Sequence, residues 1–152
     1  MVVEAEDKVE VQIAPAFGQL LSAERLGAVG ETVLCQEGVE GQVTLVITDD
    51  QGIRELNRDF LGIDAPTDVL AFGAQEGDES FVVSPEAQGY LGDVIISYPR
   101  AVTQAKELGH PLELEIRLLI VHGLLHLLGY DHAGKAEKTI MWARQDAILR
   151  DL

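Results

Sequence analysis

Val9, Val11 and Ile13 alternate with Lys8, Glu10 and Gln12, the period-2 pattern of a strand buried on one face. Pro15 and Gly18 close that segment. Ser22 is placed to cap a helix running toward Gln36, with Leu26, Val29 and Val33 on one apolar face, Glu24 near the positive end and Gly38 as the stop. Gly27 and Gly30 weaken this helix. A β-branched run over residues 43–48 reads as a strand, followed by a helix capped by Asp49 or Asp50 that turns Ile53, Leu56 and Phe60 inward.

Gly62 and Pro66 then mark a loop, and residues 69–72 form a brief strand. The stretch from Gly73 to Gly89 is acidic and glycine-rich, and reads as a mobile connection interrupted at Phe81 to Val83. Residues 91–97 form a buried strand, and Pro99 suits the first turn of a helix that reaches Leu108 and ends at Gly109. Pro111 opens the next helix, with Leu112, Ile116, Leu119 and Leu127 as apolar contacts and Gly129 just past its end. Residues 136–149 form a last amphipathic helix with Ile140, Trp142, Ala147 and Ile148 available for packing. With no internal repeat and one core, the expectation is an α+β fold: a small mixed β-sheet packed with about five helices, in a single domain over residues 1–152.

Composition narrows the setting. A chain of 152 residues with 47% hydrophobic content supports one sizeable core. The most apolar segment, residues 118–128, carries two histidines and falls short of the roughly 18 residues a membrane helix needs, so no membrane association is expected. Cys35 has no internal disulfide partner, and no secretory signal pattern opens the chain, which makes the cytoplasm the expected compartment. Eleven Lys+Arg against 26 Asp+Glu leave a net charge of −15. That charge repels polyanions at long range, but an RNA-binding groove needs only a local basic patch.

Three of the four histidines fall in one stretch, His122-Gly-Leu-Leu-His126-Leu-Leu-Gly-Tyr-Asp-His132. Residues four apart on a helix differ by about 40° in azimuth, so His122 and His126 point the same way. Gly129 can end the helix abruptly and return His132 toward the same ion. One histidine on an apolar helix is ordinarily a core residue; three at this spacing suit one catalytic Zn2+ with an open fourth position for water. A closed structural site requires a fourth ligand, for which Cys35 and His110 are candidates without motif spacing. The spacing equals that of the metzincin proteases, a zincin-like metal helix, but Gly123 stands where their general-base glutamate would be. Gly123 serves either close approach to the metal or simple packing.

At these residues the chain resembles the YbeY family of bacterial endoribonucleases. The histidine stretch is similar to the family signature, and Leu56-Asn57, Pro66-Thr67-Asp68-Val69-Leu70, Leu91-Gly-Asp93-Val-Ile-Ile-Ser97 and Met141 agree with it in order. The resemblance implies a metal-dependent, single-strand-specific endoribonuclease acting in ribosomal RNA maturation, notably at the 3′ end of the small-subunit RNA, and in ribosome quality control. It implies His122, His126 and His132 as zinc ligands, and ribosomal RNA as substrate, with ribosomal proteins or a ribosome-associated GTPase as partners. Three features depart from the family: Leu61 follows Phe60 where an arginine is usual, Ala71-Phe72-Gly73 replaces Ser-Phe-Pro, and Gln145 takes the place of a glutamate.

Other candidates are weighed residue by residue. Arg58, one turn before Leu61, is the substitute phosphate partner, against the ordinary role of a solvated charge. Arg117 lies off the ligand face. Asp131 is placed either to orient a ligand imidazole or to shape the helix-ending turn. Asp68 and Asp93 read as structural, His110 as a loop residue, and Tyr130 and Trp142 as possible base-stacking rings, with Trp142 favoured as core. The competing functions are a metallohydrolase of a non-nucleic substrate, opposed by Gly123, and a non-catalytic ribosome-assembly factor with a zinc site.

Overall fold

The computed structural model describes residues 8–73, 89–130 and 134–152. The connection at residues 74–88, including the interruption expected at Phe81 to Val83, lies outside the described residues. Four strands, β1 (Val9–Ile13), β2 (Gln42–Thr48), β3 (Val69–Gly73) and β4 (Tyr90–Ser97), form a sheet in the order β1-β2-β4-β3. β1 pairs with β2, and β2 with β4, in parallel; β3 runs antiparallel to β4 at the edge. The sheet is mixed, and among the described residues five α-helices accompany it: α1 (Ala23–Gln36), α2 (Asp50–Leu61), α3 (Tyr98–Leu108), α4 (Leu112–Leu127) and α5 (Lys135–Arg150). The α+β expectation holds.

The caps are local chemistry. Ser22 Oγ accepts from the Arg25 N–H at 3.2 Å to start α1, and Asp49 Oδ1 accepts from the Gly52 N–H at 2.7 Å to start α2. Ser97 ends β4 and caps α3, while its hydroxyl donates to Asp50 Oδ1 at 2.7 Å and so ties α2 to the sheet.

Alternate residues of the two central strands supply one wall of the core: Val43, Leu45 and Ile47 from β2, and Val94 and Ile96 from β4. Leu26, Val29, Val33 and Leu34 of α1 and Ile116, Ile120, Leu124 and Leu125 of α4 join those residues in one core, α1 lying against β1 and α4 against β4. α4 touches α1, α3, α5, β3 and β4, which explains why its sequence is apolar around nearly its whole circumference in the C-terminal half. Its histidines therefore sit on a helix held by three other helices and two strands.

Three large side chains expected in the core face solvent. Phe60 is 68% exposed, Ile140 58% and Trp142 49%. On α2 the inner face is filled by Ile53 and by buried Asn57, whose Nδ2 donates to the Ala65 carbonyl at 2.9 Å; Phe60, in the last turn, meets the ring of Phe72 at the sheet edge. On α5 the buried residues are Met141 and Ile148. At 100° per residue, Ile140 and Trp142 flank Met141 and turn outward, and Trp142 instead lies beneath the Lys138 ammonium, 4.4 Å from its ring centre.

Candidate active site

His122 and His126 stand one turn apart on α4, both half-buried, with ring centroids 4.8 Å apart and planes at 73°. They open onto a cleft of about 390 Å³ between α4 and the segment from Thr67 to Ala71. Gln145 reaches in from α5, its Oε1 3.3 Å from His122 Nδ1. An amide oxygen only accepts, so in the tautomer that satisfies this contact Nδ1 carries the proton and the ring's lone pair is on Nε2. The sequence marked Gln145 only as a departure from the family. Its position four residues after buried Met141 was the available signal, since it puts Gln145 on the inner face of α5.

A turn ends α4 beside this pair. Gly129 has φ 105°, its N–H donates to the His126 carbonyl and the Tyr130 N–H to the Leu125 carbonyl, each at 3.0 Å, a Schellman arrangement that turns the chain sharply after the second histidine. His132 and Asp131 lie outside the described residues. Among the described residues no three His, Cys, Asp or Glu side chains come together as a metal site; neither Cys35 nor His110 joins the pair. Cys35 is exposed, and His110 Nε2 is 2.5 Å from Oε2 of buried Glu115 near the start of α4. The two described imidazoles fit a metal as nitrogen donors on one face of one helix, backed by an oriented amide.

Gly123 is a packing glycine. A Cβ there would lie 2.6 Å from Val94 Cγ1 and 3.1 Å from Val69 Cγ2, so α4 presses directly on β3 and β4. A glutamate of the metzincin kind has no room at this position.

The carboxylates near the cleft are committed to the fold. Asp68 Oδ1 accepts from the Val69 N–H at 2.8 Å and the Thr67 hydroxyl at 3.3 Å, while Oδ2 accepts from Gln104 at 3.3 Å. Asp93 accepts from the Tyr90 hydroxyl, which also lies 2.8 Å from Thr44 Oγ1. Burial first, and then the hydrogen bond to Asp93, push the Tyr90 phenol up to about 12. Arg58 is paired with Asp59 at 3.0 Å, which raises its guanidinium pKa further, and Arg117 with Glu113 at 3.0 Å. Among the described residues no Lys or Arg lines the cleft, and Leu61 does.

Residues 4–152 match the family model described as Endoribonuclease YbeY. The chain belongs to the YbeY family. Curated relatives named Endoribonuclease YbeY include one from Roseiflexus sp. (strain RS-1), 43% identical over 98% of this chain and 95% of that protein. Another, from Moorella thermoacetica, is 49% identical over 89% of this chain and 88% of its own length. The solution structure of TM1509 from Thermotoga maritima superposes with a TM-score of 0.62 at 26% identity, covering 93% of this chain and 87% of that one. Leu61 lines the cleft at the position where the resemblance implies an arginine.

Proposed function

We propose that this chain, an endoribonuclease of the YbeY family, holds one zinc ion through His122, His126 and His132 and cleaves single-stranded RNA in ribosomal RNA maturation. The small-subunit RNA 3′ end is the proposed site of action, with a second role in ribosome quality control. Residues 1–152 act as one domain in the cytoplasm, alongside ribosomal proteins or a ribosome-associated GTPase. No helix among the described residues is long and apolar enough to cross a membrane.

The observation that carries the reading is the pair His122 and His126, opening together onto the cleft in a chain whose relatives are named for RNA cleavage. When bound there, the ion supplies Lewis acidity toward a phosphate oxygen. The remaining work belongs to the chain. Gln145 holds the tautomer of His122, and the contacts of α4 with two strands and three helices keep both rings from drifting. Asp68, with both oxygens engaged, shapes the wall facing the histidines.

Wild type and His126→Ala, each supplied with zinc, are incubated with single-stranded RNA, duplex RNA and casein. Wild type is expected to cut single-stranded RNA alone, and the variant to be slower by about 100-fold or more, as the loss of several kcal/mol of charge stabilisation requires. Equal cleavage by both proteins, or casein hydrolysis without RNA cleavage, overturns the reading. Elemental analysis of the purified protein separates zinc from nickel and iron, which imidazoles also bind.

A further inference from the structure

The last turn of α2 and the residues after it leave an apolar cluster in water: Phe60, Leu61 and Ile63 are all more than half exposed. Gly62, with φ 73°, turns the chain there, and the Ile63 N–H returns to the Asn57 carbonyl at 3.2 Å. The cluster adjoins the histidine cleft, because Leu61 and Ala71 line it and Phe60 and Phe72 are their immediate chain neighbours. The two phenyl rings lie 5.4 Å apart at 50°, a packed aromatic pair in which Phe72 steadies Phe60 from below while Phe60 stays 68% exposed.

An exposed aromatic beside a cleft has value only if something covers it. The endoribonuclease reading names RNA as the occupant, and the electrostatics bear on how it is held. The chain carries −15, and among the described residues no cation lines the cleft. The two arginines nearest in sequence on α2 are engaged, Arg54 with Asp64 at 2.7 Å and Arg58 with Asp59 at 3.0 Å. A single strand of RNA approaching this surface gains little from its phosphates, so its bases must supply the attraction, and every base has a face that stacks on an aromatic ring.

We propose that Phe60, backed by Phe72, is a stacking platform that holds an unpaired base of the RNA at the mouth of the cleft, so that stacking rather than phosphate pairing carries binding. This rests on the endoribonuclease reading above. It also accounts for single-strand preference, because a base inside a duplex cannot offer its face.

The test uses the full chain with His126→Ala as a cleavage-deficient background, and measures binding of a fluorescent oligouridine and of the same oligomer lacking its bases. Phe60→Ala is expected to weaken oligouridine binding by about tenfold, in the range one stacked base supplies, and Phe60→Trp to restore it. The baseless oligomer is expected to bind weakly and equally to all three. Because single-strand binding through Z phosphates loses affinity with a slope of about −0.7Z against log salt, the slope for the His126→Ala parent is expected to stay shallower than about −1.5. Unchanged affinity in Phe60→Ala, with the parent binding normally, overturns the stacking proposal alone, as does a steep salt slope. A parent that neither binds nor, with His126 restored, cleaves RNA overturns the endoribonuclease reading with it. A self-association that Phe60→Ala abolishes while RNA affinity is unchanged reassigns the patch to a second copy of the chain. Thermal unfolding of each variant confirms that this exposed substitution leaves the fold intact.

Discussion

Gln145 reaches His122 across 3.3 Å with a neutral amide, which favours the tautomer protonated at Nδ1 without placing a negative charge beside the proposed metal ligands. Gln145→Leu keeps much of the side-chain volume and removes the acceptor. Metal affinity, measured by competition with a chelator, is expected to fall by about 10- to 100-fold, while Gln145→Glu retains an acceptor and binds. Equal affinity in Gln145→Leu and wild type would remove Gln145 from the site. The histidines themselves were legible as residues because their spacing states their direction on a helix. Their partner was not: nothing in the sequence near position 122 says which residue of a helix more than twenty positions later lies opposite its Nδ1.

Between elements, the contact of α4 with the sheet is decided at Gly123. Alanine in a helix interior is favoured over glycine by about 1 kcal/mol, yet the added Cβ would meet Val94 Cγ1 at 2.6 Å and Val69 Cγ2 at 3.1 Å, and overpacking a tight core costs about 1–3 kcal/mol. The clash outweighs the propensity. Gly123→Ala is expected to destabilise the protein in urea unfolding, and the same substitution to cost less in a Val94→Ala background, a coupling that contacting residues show and distant ones do not. Additive effects would mean that α4 does not rest on β4 through this glycine. The elements were largely readable, since β-branched alternation, the Ser22 and Asp49 caps and the glycines after α3 and α4 act within a few residues of the chain. Their faces were less so. Ile140, Trp142 and Phe60 look like core at helical spacing, and they point outward because Met141, Ile148, Ile53 and Asn57 already fill the side that meets the rest of the protein.

Across the whole molecule the excess of acidic groups acts on stability and on partner choice together. With −15 distributed over one compact chain, self-repulsion opposes folding at low ionic strength and is screened over about 8 Å at physiological salt. The unfolding midpoint is therefore expected to rise as salt increases from about 0.01 to 0.15 M; an unchanged or falling midpoint would show that local pairs such as Arg54–Asp64 and Arg144–Glu37 dominate the electrostatics. By itself, the sequence determined the α+β class, the element order, the family and the direction of His122 and His126, because period, cap chemistry and i to i+4 spacing are properties of neighbouring residues. Only the tertiary structure decided that Gly123 packs, that Gln145 meets His122, that Leu61 lines the cleft and that Phe60 is bare. Each of these depends on what another part of the chain brings to the same place, and no local pattern encodes which side of an element will be covered.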